Sequence, residues 1–124
     1  MEKIKGACLC GRVQVWVEGD PTRVGICHCT DCRQESGSAF TFFAVWPIAR
    51  FDSEGETATC AGRSFCPACG ARLYALSASE AEVKLGILEI APTPFVPTYE
   101  LWVKRREPWL PPLRGARQYQ EDKR

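Results

Sequence analysis

Three things are scarce in this sequence, and each scarcity removes a class of function. No apolar run approaches the roughly 18 residues that a membrane-spanning helix needs, which argues against a membrane protein. Net charge is almost absent, because 16 Lys and Arg stand against 15 Asp and Glu and leave a formal +1. That balance supplies neither the basic field of a dedicated nucleic-acid binder nor the self-repulsion that keeps a chain disordered. The N-terminus, Met1-Glu2-Lys3-Ile4-Lys5, lacks an apolar segment of the kind that directs export, so a reducing cytoplasm is the expected home. Function must then be read from a local site.

The chain of 124 residues is long enough for one domain with a real core. Its apolar pattern is dominated by a period of two, with Val13, Val15 and Val17 set against Arg12, Gln14 and Glu18. Residues 13–18 therefore read as a half-buried strand. Residues 23–27, 39–46, 56–61, 72–76, 82–90 and 98–105 are further strand candidates, separated by turn markers such as Gly19-Asp20-Pro21 and Ser53-Glu54-Gly55. This predicts an all-β domain over residues 1–112. One short helical turn is expected at residues 30–36, with Asp31 as its cap and Gln34 three positions on. The prolines at 92, 94 and 97 mark a stiff connector before the last strand. Residues 113–124 are polar and basic and read as a surface tail.

Eight cysteines are what the sequence has in excess. Seven fall into three tight groups: Cys8 with Cys10, Cys27 with Cys29 and Cys32, and Cys66 with Cys69. Disulfides serve stability better when partners lie far apart in the chain, whereas zinc takes close pairs of thiolates on short turns. In Cys66-Pro67-Ala68-Cys69-Gly70, Pro67 fixes one backbone angle and Gly70 can take a positive φ. Cys8, Cys10, Cys66 and Cys69 together make a closed four-sulfur set, expected to be structural. Cys27, Cys29 and Cys32 supply only three sulfurs, which leaves a position open for water or a substrate atom. Two other readings stand beside that one: Cys60 or His28 completes a second closed site, or the group is a set of metal-free redox thiols. Seven ionised sulfurs would make a nearly neutral chain strongly anionic, and two divalent ions would offset most of that charge.

Gly6-Ala7-Cys8-Leu9-Cys10-Gly11-Arg12-Val13, then Cys27-His28-Cys29-Thr30-Asp31-Cys32-Arg33 with Ser36-Gly37, then Phe65-Cys66-Pro67-Ala68-Cys69-Gly70, resemble in order and spacing the glutathione-dependent formaldehyde-activating enzyme family. The resemblance runs from about Gly6 to Leu110. It implies a zinc-containing sandwich of twisted antiparallel sheets, with Cys8, Cys10, Cys66 and Cys69 as structural ligands and Cys27, Cys29 and Cys32 as catalytic ones. It also implies a carbon–sulfur lyase that forms S-hydroxymethylglutathione from glutathione and formaldehyde, although the family extends to a centromere-associated eukaryotic protein. For glutathione, or another small thiol, the carboxylates call for cations. Arg33, Arg63, Arg72 and Lys104 are candidates, and Trp46, Trp102 and Trp109 are candidate walls. A non-catalytic zinc module, docking through the basic run Lys104-Arg105-Arg106 or through the tail, is the competing account.

Overall fold

The twelve regular elements, in chain order, are β1 (Lys3–Ala7), β2 (Gln14–Glu18), β3 (Arg23–Cys27), α1 (Thr30–Ser36), β4 (Thr41–Pro47), β5 (Phe51–Glu54), β6 (Ala58–Cys60), β7 (Arg63–Phe65), β8 (Arg72–Leu76), β9 (Glu80–Lys84), β10 (Tyr99–Leu101) and β11 (Arg117–Gln118). The computed structural model describes residues 1–123. In β2 the alternation expected from sequence is realised, with Val15 and Val17 buried between half-exposed neighbours. This strand lies between β1 and β5 in a small antiparallel sheet. The other eight strands form one large sheet in the order β11-β10-β3-β4-β9-β8-β7-β6.

Apolar packing explains why the two sheets stack. Ile4, Val13, Val15 and Val17 of the small sheet and its turn meet Ala44, Trp46, Leu73, Ala81 and Val83 of the large one in the main core. Each fully buried aliphatic side chain there contributes about 1.5–3 kcal/mol. Strand β4 is apolar on both faces because both are covered. Its Ala44 and Trp46 point into the main core, while Phe43 and Val45 point to the opposite face and pack with Tyr99, Cys27 and Cys32. A second, smaller core thus sits behind the large sheet, at the end where β3 delivers its cysteine.

Several local expectations need correction. The helix is capped by Cys29, not Asp31: Cys29 has an extended backbone (φ −63°, ψ 160°), and its Sγ accepts the Cys32 N–H at 3.2 Å. A sulfur here does what a serine or aspartate oxygen does elsewhere. Residues 82–90 do not run as one strand, because after β9 a single 3₁₀ turn at Leu85–Ile87 carries the chain toward the small sheet, where Leu88 bridges Gly6. Residues 98–105 break at Trp102, whose left-handed backbone (φ 58°, ψ 42°) turns the chain out of the ladder. Nor is the large sheet wholly antiparallel, since the proline connector returns β10 parallel to β3, and β11 adds parallel to β10.

The C-terminal segment is tied to a buried carboxylate. Glu100, on β10, takes the Leu113 N–H at 2.7 Å and the Gln118 amide at 2.8 Å on Oε2, and its Oε1 lies 2.7 Å from His28 Nε2. Burial alone would raise its pKa, yet the Leu113, Gln118 and His28 hydrogen bonds outweigh that and hold it below the ordinary value. Within residues 113–124, which read from sequence as a surface tail, Arg117–Gln118 supply the edge strand of the large sheet.

One residue sets how closely β10 and β4 approach β3. A Cβ built on Gly25 would lie 2.7 Å and 2.8 Å from Tyr99 ring atoms and 2.9 Å from Phe43, in a cluster where both rings are buried. Gly25→Ala should therefore lower the unfolding free energy by about 1–3 kcal/mol, as overpacked cores do. A urea midpoint unchanged from the parent chain would show that the rings yield without cost.

Candidate metal centres

The four-sulfur group joins the two sheets. Cys8 and Cys10 follow β1 of the small sheet, and Cys66 and Cys69 form the turn between β7 and β8 of the large one. The two turns are built alike. Cys8 N donates to Val13 O and Cys66 N to Ala71 O, both at 3.0 Å, and the glycine after the second cysteine of each turn, Gly11 or Gly70, has a positive φ. All four Sγ atoms lie within 4.8 Å of one another. Cys10 is 3.6 Å from Cys8 and 3.7 Å from Cys66, close to the roughly 3.8 Å edge of a tetrahedron with bonds of about 2.3 Å. No pair is a disulfide. The Val13 N–H reaches Cys8 Sγ at 3.2 Å, and the Ala71 and Cys10 amides lower Cys69 to about 6, so the backbone already favours thiolates. The Arg12 amide likewise favours the Cys10 thiolate, but burial and the three neighbouring sulfurs prevail and push it up to about 11. Close thiolates repel until a cation neutralises them.

The three-sulfur group forms where β3 ends and α1 begins. Cys27 closes β3, Cys29 caps the helix, and Cys32 lies on its first turn, so a strand end and a helix start bring three sulfurs within 4.8 Å. Cys27 and Cys32 are buried and Cys29 is half-buried. Hydrogen bonding to Cys27 holds Cys32 down at about 6, aided by the positive charge of Lys84, while the same contact pushes Cys27 well up. Among the described residues neither proposed fourth ligand joins this group: Cys60 is exposed on β6, and His28 turns its Nε2 to Glu100. The donor set suits a soft divalent ion with one position left over.

A cleft of about 330 Å³, within the range of small-molecule sites, lies against the half-buried sulfur. Cys29 lines it together with Arg63 and Trp102, two of the residues singled out from sequence. The remaining lining comes from Thr30, Asp31, Arg105 and Asp122. Arg33 lies outside it, with its guanidinium on Glu107 at 2.5 Å and on the Arg105 carbonyl at 3.0 Å. Arg72 stacks on Phe65, and Lys104 pairs with Glu121. Trp46 is core and donates to the Gly19 carbonyl, whereas Trp109 is 72% exposed and borders a different surface depression. Sequence reading missed Asp122 because it lies in the segment taken for a tail. It missed the use of Arg105 because a short basic run is usually solvated surface.

Beneath the cleft, Glu35 takes Arg63 Nε at 2.6 Å and Lys84 Nζ at 2.9 Å with a side chain only 4% exposed. Lys84 is held above its ordinary pKa against burial by Glu82, Glu35 and the Cys32 thiolate. These cations face a cluster of sulfurs, and Glu35 keeps them there.

The sequence model of the glutathione-dependent formaldehyde-activating enzyme family matches residues 3–105. The chain belongs to that family. No curated protein matches it. A crystal structure of a Rhodobacter sphaeroides protein is similar in fold, with a TM-score of 0.57 and 23% identity over 72% of this chain and 92% of that one. No helix among the described residues is long and apolar enough to cross a membrane.

Two results should follow for this family member. Cys8 and Cys66 belong to the main core whereas Cys29 borders the cleft, so Cys66→Ser should yield unfolded or insoluble protein and Cys29→Ser a folded one that binds less metal. Circular dichroism with metal analysis checks both, and equal collapse of the two variants would refute the distinction. Glu35→Gln should cost about 3 kcal/mol, the low end for breaking a buried ion pair, because among the described residues Lys84 then keeps one carboxylate, Glu82 at 3.6 Å. Adding Lys84→Met should recover most of the loss in denaturant unfolding, and a Glu35→Gln midpoint equal to the parent's would show that the network is idle.

Proposed function

We propose that this chain is a zinc-dependent carbon–sulfur lyase that joins glutathione, or a closely related small thiol, to formaldehyde. The carrying observation is the three-sulfur group, which has no fourth side-chain ligand among the described residues and borders a charged cleft through Cys29. In this reading Cys8, Cys10, Cys66 and Cys69 hold a structural zinc, and Cys27, Cys29 and Cys32 hold the second ion. When bound, that ion supplies an open position for a soft ligand, and three anionic sulfurs temper its Lewis acidity, so it favours holding a thiolate over polarising a carbonyl.

The protein's own groups then have distinct tasks. Arg63 and Arg105 offer guanidinium forks to the carboxylates of the thiol, and Trp102 walls the cleft so that the sulfur meets the aldehyde away from bulk water. One C–S bond forms. The sulfur lone pair attacks the formaldehyde carbon, the carbonyl π pair moves to oxygen, and that oxygen takes a proton equivalent to the one the thiol gave up. Nothing is oxidised or reduced. Eight unpaired thiols suit a reducing compartment, and we assign the protein to the cytoplasm on that ground.

Calorimetric titration of the zinc-loaded protein tests this reading. Glutathione should bind with release of a proton, seen as a buffer-dependent heat. S-methylglutathione, whose sulfur cannot ionise, should bind at least about tenfold more weakly, since it lacks the charge-assisted contact that a thiolate makes. Equal affinities, or no binding at millimolar glutathione with the second ion in place, would leave the family fold serving as a non-catalytic zinc module.

A further inference from the structure

Of the four charged residues that line the cleft, Asp31, Arg63, Arg105 and Asp122, two make no ion pair among the described residues. Arg33 holds Glu107, Lys104 holds Glu121, and Arg106 lies 3.9 Å from Glu100. Arg63 is shared between Glu35 and Asp31, at 2.6 Å and 3.8 Å. Arg105 and Asp122 line the cleft, yet among the described residues neither forms an ion pair, with the other or with anything else. Two opposite charges that line one small cleft without pairing are a template for a ligand that carries both.

The placement of Asp122 is built. Its Oδ1 accepts the indole N–H of Trp102 at 2.7 Å, a contact that uses only part of what a carboxylate can accept. Trp102 is held in a left-handed backbone that a bulky residue seldom adopts, fixed by its N–H on the Glu121 carbonyl at 3.1 Å and by Val103 N on the Tyr119 carbonyl at 3.0 Å. Its indole also lies beneath Arg105, whose guanidinium carbon is 5.8 Å from the ring centroid. One strained aromatic therefore spaces the unpaired anion and the unpaired cation. Asp122 itself comes from beyond residues 3–105, the stretch that the family model matches.

We infer that Asp122 is a specificity-determining residue, and that the cleft selects thiols bearing a free ammonium group beside a carboxylate, Asp122 taking the ammonium and Arg105 the carboxylate. This rests on the reading of the three-cysteine site as a thiol site and names what that thiol must carry. A cleft meant only for carboxylates would gain nothing from the charge of Asp122, which would repel them, since a neutral acceptor could hold the Trp102 indole equally well.

The test compares glutathione with N-acetylglutathione, which keeps the thiol and both carboxylates but has no ammonium, by calorimetry on the zinc-loaded parent chain and on Asp122→Asn. Asparagine preserves the acceptor for the Trp102 indole and removes only the charge. The parent should prefer glutathione by about fivefold, as a solvent-accessible charged hydrogen bond allows. In Asp122→Asn the preference should fall close to unity, with N-acetylglutathione binding unchanged or slightly improved. Arg105→Met should weaken both ligands alike. If Asp122→Asn weakens both ligands equally, or the parent does not discriminate between them, the inference about Asp122 is overturned while the thiol site stands. If neither ligand binds the parent, the thiol-site reading fails and this inference fails with it.

Discussion

Four sulfurs drawn from two different sheets must meet at one point, and most of the molecule is arranged around that requirement. The turn after β1 and the turn between β7 and β8 share no strand pairing, so only the stacking of small sheet on large sheet brings Cys8 and Cys10 to Cys66 and Cys69. Cys8 and Cys66 are also members of the main core. Sulfur clustering and apolar burial are thus one event: the core cannot close without crowding four thiols, a crowding that a cation held there would turn into cohesion. A ligand set this dispersed exists only in the folded chain, which links metal binding to folding.

Strand β4 divides the labour between the two sides of the large sheet. Toward the small sheet, Ala44 and Trp46 build the interior that holds the sandwich together. Toward the other side, Phe43 and Val45 support a thinner layer in which Cys27, Cys32 and Tyr99 pack, with Trp102 and Tyr119 over them. A thinly covered layer is where a half-buried sulfur can meet solvent, and Cys29 does so. The two groups differ in ligand number and in the core they join, not in depth: the four-sulfur group has Cys8 and Cys66 in the main core with Cys10 exposed, and the three-sulfur group has Cys27 and Cys32 buried in the smaller one.

The C-terminal segment is part of this second layer. Glu100 gathers the Leu113 amide, the Gln118 side chain and His28 around one buried carboxylate, and the chain beyond runs back along Trp102. His28, which lies between two ligand cysteines in sequence, is therefore an anchor for the segment that walls the cleft. Its side chain leaves the sulfurs because residues 27–29 are extended, and successive side chains on such a backbone point to opposite sides.

How much of this was legible in the sequence depends on the range of the interaction concerned. The cysteine groupings, the strand period in residues 13–18, the helix at residues 30–36 and the family membership could all be read from residue type and spacing, because a metal turn, a pleated strand and a capped helix each depend on neighbours a few positions away. The cap was misassigned to Asp31 for the same reason in reverse: local propensity favours an aspartate, and only the convergence of three cysteines makes a sulfur the acceptor. Arg63 and Trp102 line the cleft beside Cys29 and Arg33 does not, a difference that residue type and spacing could not show, since adjacency to Cys32 in the chain says nothing about which way a helical side chain turns. What tertiary structure alone decided was the return of β10 parallel to β3, the docking of residues 113–123, and the meeting of Arg105 and Asp122 at one cleft. Each joins segments distant in sequence through contacts that no local pattern encodes, and each depends on the free energy of the assembled core.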